Sequence, residues 1–153
     1  MLIPFDDPIW EYLGPEVVYP DDPNLKMAPE GTGADHWISP NDRIGYTVFF
    51  ENIATATAPA QEVIVSDYLP QNLDWATLRL TEIAWGDHSV TLPGDADVYS
   101  GRTVVRDHRP EVLKEWWVDV LVSRNSVTGE TVWTFRTLDP GTGELPEDAL
   151  AGF

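Results

Sequence analysis

The chain has 153 residues, 26 Asp and Glu against nine Lys and Arg, a net charge of −17, and no cysteine. A surface this acidic repels phosphate backbones and anionic lipid, so nucleic acid and membrane surfaces are poor partners. The lack of Cys rules out disulfides, thiolate metal sites and a Cys nucleophile. A chain of this length forms one domain and buries about 68–70% of its unfolded surface, so a core needs neither disulfides nor a structural metal.

Residues 1–42 hold seven of the 13 Pro and nine acidic residues against one Lys. Proline fixes φ and removes a backbone donor, so this stretch is read as an extended acidic arm, neither helix nor central strand. Its Phe5, Ile9, Trp10, Tyr12, Leu13, Val17, Val18 and Tyr19 suit packing on the edge of a sheet or on a neighbouring domain. The start has no basic segment followed by a long apolar run, so it is not a signal peptide. No apolar run is long enough to span a bilayer, and membrane insertion is not expected.

Residues 43–153 read as the domain proper. In 43–53 Ile44, Tyr46, Val48 and Phe50 alternate onto one face, as in a half-buried strand. A second strand is expected over 62–69, ended by Pro70. Strands at 78–85 and 88–92 flank Gly86-Asp87, a two-residue hairpin signal. A weaker strand lies near 102–106. In 115–123 Trp116, Val118, Val120 and Val122 share one face, and 130–138 alternates Thr131, Trp133 and Phe135 against Val132, Thr134 and Arg136. A turn at Thr128-Gly129 joins these two strands. The segment 139–153 is turn-rich and strandless, and the only helical candidate, around 110–117, is weakened by Pro110. About seven short strands with regular turns argue an all-β, antiparallel two-sheet sandwich, with a barrel as the alternative.

The stretch YTVFFENIATATAPAQEVIVSDYLPQNLDW, residues 46–75, resembles the conserved-repeat domains of large bacterial secreted and surface proteins. Their pattern is a strand ending in Asn (here Asn52), a small-residue connection, then a strand ending in Asp-x-Leu-Pro (here Asp67 to Pro70). DPNLK at 22–26 is similar to the lead-in of one branch of these domains, and TLDPGTGELPEDALAGF to its end. The resemblance implies an immunoglobulin-like Greek-key sandwich serving as a spacer or adhesion repeat in an exported multidomain protein. Its location would be extracellular or at the cell surface, with the signal peptide upstream in the parent protein. Its partners would be neighbouring domains, and a glycan or a surface protein. The resemblance supplies no catalytic residue.

Bottom-up chemistry agrees with a non-catalytic module. His36, His88 and His108 have no metal-ligand spacing, and the chain lacks a Gly-x-Ser-x-Gly elbow and a Gly-Lys-Ser/Thr phosphate cradle. With so many acidic residues, no carboxylate pair identifies a glycosidase. Ca²⁺ is the sharpest site expectation: Asp21, Asp22 and Asn24 lie in a Pro-punctuated segment that exposes carbonyls, and Asp67 could converge on them. Asp95 and Asp97 form a second acidic loop, which fails the EF-hand pattern. The alternative is that these aspartates form Asx turns and protect a sheet edge. Trp116 and Trp117 must point to opposite faces of a strand. Trp117 is therefore the candidate ligand-binding residue, stacking on a sugar in a carbohydrate-binding alternative, unless the arm or a neighbouring domain covers it. A Lys–Asn isopeptide bond would draw on Lys26 or Lys114 with Asn52.

Overall fold

The computed structural model describes residues 24–94 and 96–153. Among them are eight strands and no α-helix: β1 (Asn24–Met27), β2 (Thr47–Phe50), β3 (Glu62–Tyr68), β4 (Glu82–Trp85), β5 (His88–Thr91), β6 (Tyr99–Arg106), β7 (Glu115–Arg124) and β8 (Glu130–Leu138). Among the described residues, no helix is long and apolar enough to cross a membrane. Every strand pair is antiparallel. β3-β8-β7-β6 form a four-stranded sheet, while β1-β2 and β4-β5 form two-stranded sheets.

β7 follows directly from its sequence. Trp116, Val118, Val120 and Val122 are all buried, because alternate residues share a face and this face turns inward. Its neighbour β8 sets Phe135 opposite Val120 and Trp133 opposite Val122. Phe135 is the hub. Its ring lies 5.0 Å from Phe50 of β2, 5.9 Å from Trp85 of β4 and 6.1 Å from Phe153. β2 and the β4-β5 hairpin thus pack on one face of the four-stranded sheet, an arrangement consistent with a β-sandwich. Leu80, Ile83, Val105 and Ala151 complete this core.

The turns obey local stereochemistry. Gly86 takes φ 50° between paired Trp85 and His88, as a hairpin with glycine at its first turn position requires. Gly129 takes φ 74°, and a Cβ there would stand 2.6 Å from the Trp75 ring. Trp75 begins a single 3-10 turn, Trp75–Thr77, capped by the Asp74 carboxylate accepting from the Ala76 N–H.

Several elements differ from expectation. The strand read over 43–53 shrinks to Thr47–Phe50, and that over 78–85 to Glu82–Trp85. β6 is longer than expected, beginning at Tyr99. Residues 110–117 hold a turn and the start of β7 in place of a helix. Within the stretch read as arm, β1 pairs with β2. Proline at 23 and 29 leaves room for four paired residues between them, and such short strands carry little sequence signal.

Phe135→Ala is expected to cost about 3–5 kcal/mol, the range for emptying a large buried aromatic site, measured by urea unfolding. Gly129→Ala should also destabilise, since its φ disfavours a side chain and its Cβ meets Trp75; Gly129→Ala combined with Trp75→Ala should recover part of that loss.

Candidate functional site

Two regions concentrate polar chemistry. The first is the outward face of the four-stranded sheet. Strand register lines up Glu62, Arg136, Asp119 and Arg102 in one row across β3, β8, β7 and β6. Arg136 Nε lies 3.0 Å from Glu62, and Arg102 donates to both oxygens of Asp119, at 2.5 and 2.8 Å. The acceptor Asp119 raises the Arg102 pKa through those hydrogen bonds. On one side of this row lie Ile64, Thr134, Leu121 and Ser100; on the other, Leu138, Trp117 and Val104. Ile64, Val104 and Leu121 are about half exposed or more. Leu138 is buried, so the exposed aliphatic groups Ile64, Leu121 and Val104 flank a ladder of paired charges.

Trp116 and Trp117 divide as alternation demands. Trp116 is in the core. Trp117 is half-buried on the outward face, and the Arg102 guanidinium stacks 4.1 Å from its ring centroid. That contact is a cation–π interaction, so one ring face already has a partner.

The second region surrounds Asp107, whose side chain has no solvent exposure. Its Oδ1 accepts from the Arg109 backbone N–H at 3.0 Å and from Arg109 Nε at 2.8 Å; its Oδ2 accepts from Arg109 Nη2 at 2.7 Å and from Trp116 Nε1 at 2.9 Å. The hydrogen bonds from the Arg109 side chain hold the Asp107 carboxyl far below the usual carboxylate range, overcoming the opposing effect of burial. Arg109 Nη2 also donates to Asp148 Oδ2 at 2.7 Å, and its pKa is raised by Asp107 first and Asp148 second.

Among the residues expected to hold calcium, Asp21 and Asp22 lie outside the described residues, as does Asp95. Asn24 is the exposed first residue of β1. Asp67 sits on β3 and does face the arm strand, but the group it meets is Lys26, whose Nζ donates to both carboxylate oxygens at 2.8 Å. Lys26 also lies 4.4 Å from the Tyr46 ring centroid. Burial first, and then the Asp67 charge, push the Tyr46 phenol up. Asp97 accepts from Arg124 Nη2 at 2.6 Å, and Arg124 also donates to the Trp75 carbonyl. No group of three or more His, Asp or Glu with metal-holding geometry occurs among the described residues.

The histidines are dispersed: His36 Nδ1 lies 2.7 Å from the Glu30 carbonyl oxygen, His88 stacks on Trp85, and His108 lies beside Asp107. Lys114 Nζ donates to Asp139 at 2.7 Å, and Asn52 Nδ2 donates to the Ala58 carbonyl at 2.6 Å. The Arg109–Asp148 link was not foreseen, since 39 positions separate the two residues and neither sits in a motif.

A domain of unknown function, DUF7619, is found over residues 22–95. The match takes in β1 to β5 and stops before β6. β3, inside it, pairs along its whole length with β8, outside it, so the two parts share one sheet. No curated protein and no solved structure matches the chain.

Arg102→Ala is expected to open Trp117 to solvent and raise acrylamide quenching of tryptophan fluorescence. The rise should disappear in a Trp117→Phe background.

Proposed function

We propose that the chain is a non-catalytic structural and interaction module, with an immunoglobulin-like Greek-key sandwich, of a multidomain secreted or cell-surface bacterial protein. The observation that carries this reading is the outward sheet face, where Ile64, Val104 and Leu121 stand exposed around charges that are already paired. Exposed apolar groups on one sheet face suit a contact surface, and a ladder of satisfied ion pairs gives register to such a contact while adding little affinity. The partner on this reading is a neighbouring domain or a surface protein. The resemblance of residues 46–75 to repeat domains of exported proteins supports the same reading.

Carbohydrate binding is the second reading, favoured by the position of Trp117 on that outward face. A sugar ring would stack on the side of the indole that Arg102 leaves open. A glycan array probed with the wild-type chain and with Trp117→Ala separates the two. Binding lost in the variant would establish the carbohydrate reading.

Immunoblotting of secreted, surface and cytosolic fractions of the source cells tests the main proposal. The expected result is a band well above 17.1 kDa in the surface or secreted fraction. A band of 17.1 kDa confined to the cytosol would refute it. Among the described residues the calcium expectation retains Asn24 and Asp67 of the first group and Asp97 of the second, and an ion at Asp67 or Asp97 must displace Lys26 or Arg124. Melting in EDTA and in millimolar Ca²⁺ is therefore expected to give the same Tm. A Ca²⁺-specific rise, lost in Asp67→Ala, would place the ion there through linkage.

A further inference from the structure

After β8 the chain does not leave the domain. Asp139 reverses it: its N–H donates to the Glu144 carbonyl at 2.8 Å, and its own carbonyl accepts from the Gly143 N–H at 2.7 Å. Lys114 fixes this turn through the Asp139 carboxylate. The returning segment is then fastened on two sides. Gln61, just before β3, donates through Nε2 to the carbonyls of Pro146 and Asp148, at 3.2 and 2.8 Å. Arg109, in the connection from β6 to β7, holds the Asp148 carboxylate. In the order β3-β8-β7-β6 these anchors flank β8, so residues 139–153 form a strap across one end of the sheet. Ala151 is fully buried in the core. Gly152 lies so close to the chain before β3 that a Cβ would stand 2.5 Å from the Ala60 carbonyl oxygen. The Phe153 N–H donates to that same carbonyl at 3.1 Å, and its ring packs on Phe135.

The attachments of strap and strand differ in kind. β8 is an internal strand, laddered to β3 over seven residues and to β7 over eight; moving it along its axis breaks both ladders together. The strap has no ladder. Its hold consists of single hydrogen bonds, the ion pairs Arg109–Asp148 and Lys114–Asp139, and the burial of Ala151 and Phe153, which yield one after another. Tension arriving from the C-terminal side reaches Phe153 first.

We infer that residues 139–153 are a tension-released strap: under load they peel from the sheet end before the sandwich unfolds, lengthening the module and uncovering the aromatic core beside Phe135, with Arg109–Asp148 setting the release threshold. The inference rests on the reading of the chain as a module within a longer polypeptide, where such load would arise. It adds to that reading a reversible extension at low force.

Single-molecule pulling of the full chain, with handles at both ends, tests it. The expected trace has an early, reversible extension of about 5 nm, the extended length of the strap, before the main unfolding event. Asp148→Asn should lower the force of the early step and leave the main event in place. Gly152→Ala, which crowds Ala60 without touching the ion pair, should do the same. Glu147→Gln, a neighbouring exposed residue, should match wild type. Unfolding in a single event without an early extension would overturn the inference, as would variants that shift the main event and leave the early step unchanged. Neither result bears on where the parent protein resides, which the immunoblot decides separately.

Discussion

A buried carboxylate is tolerated only when its charge is met by donors on its own oxygens, and Asp107 meets that demand with four. Those donors come from the β6–β7 connection and from β7, and through Arg109 the network extends to Asp148 beyond β8. One charge therefore fixes the course of a loop, the orientation of a core tryptophan and the docking of the C-terminal segment. The Asp107 N–H also donates to the Lys114 carbonyl, closing the connection at its base. Had Asp107 been exposed, these segments would be held by surface ion pairs, which contribute little.

Hydrophobic packing supplies the complementary constraint. Phe135 touches aromatic residues from β2, β4 and the C-terminus, so each covering element is positioned against one ring. The polar network sits at the end of the sheet where β6 passes to β7, and the aromatic cluster lies between the layers. The outward face carries neither. Its charges pair within the sheet, and Ile64, Val104 and Leu121 face solvent, which is why the proposed contact surface is assigned there.

Much of the architecture was legible because strands with one buried face must alternate. Trp116, Val118, Val120 and Val122 marked β7 and its inward face, Gly86-Asp87 marked the β4–β5 hairpin, and 62–69 and 130–138 gave the pair at the other edge. The adjacent tryptophans were correctly divided between faces by the same rule. β1 was not legible: its four residues are all exposed, and the surrounding prolines pointed to irregular chain. Asp67 was legible as the point where the arm strand returns, but its partner was not. A lysine two residues beyond Asn24 reaches the carboxylate directly, and nothing in composition distinguishes that from a cation held between acids. The Asp107 network was invisible, since its members lie at 107, 109, 116 and 148 and no spacing rule connects them.

The central claim is that the ionised Asp107 carboxylate organises the sheet end, and the pH dependence of thermal unfolding of wild type and Asp107→Asn tests it most directly. Because its pKa in the folded chain lies below the unfolded value of about 3.9, Asp107 stabilises fully above that value and less as pH falls through it toward the folded value. Asp139 and Asp148, held low by Lys114 and Arg109 respectively, add to the same acid limb. The account predicts a lower Tm for Asp107→Asn at pH 7, a shallower fall below about pH 4 than in wild type, and curves that converge in acid. Equal Tm values at pH 7 with parallel acid limbs would contradict it.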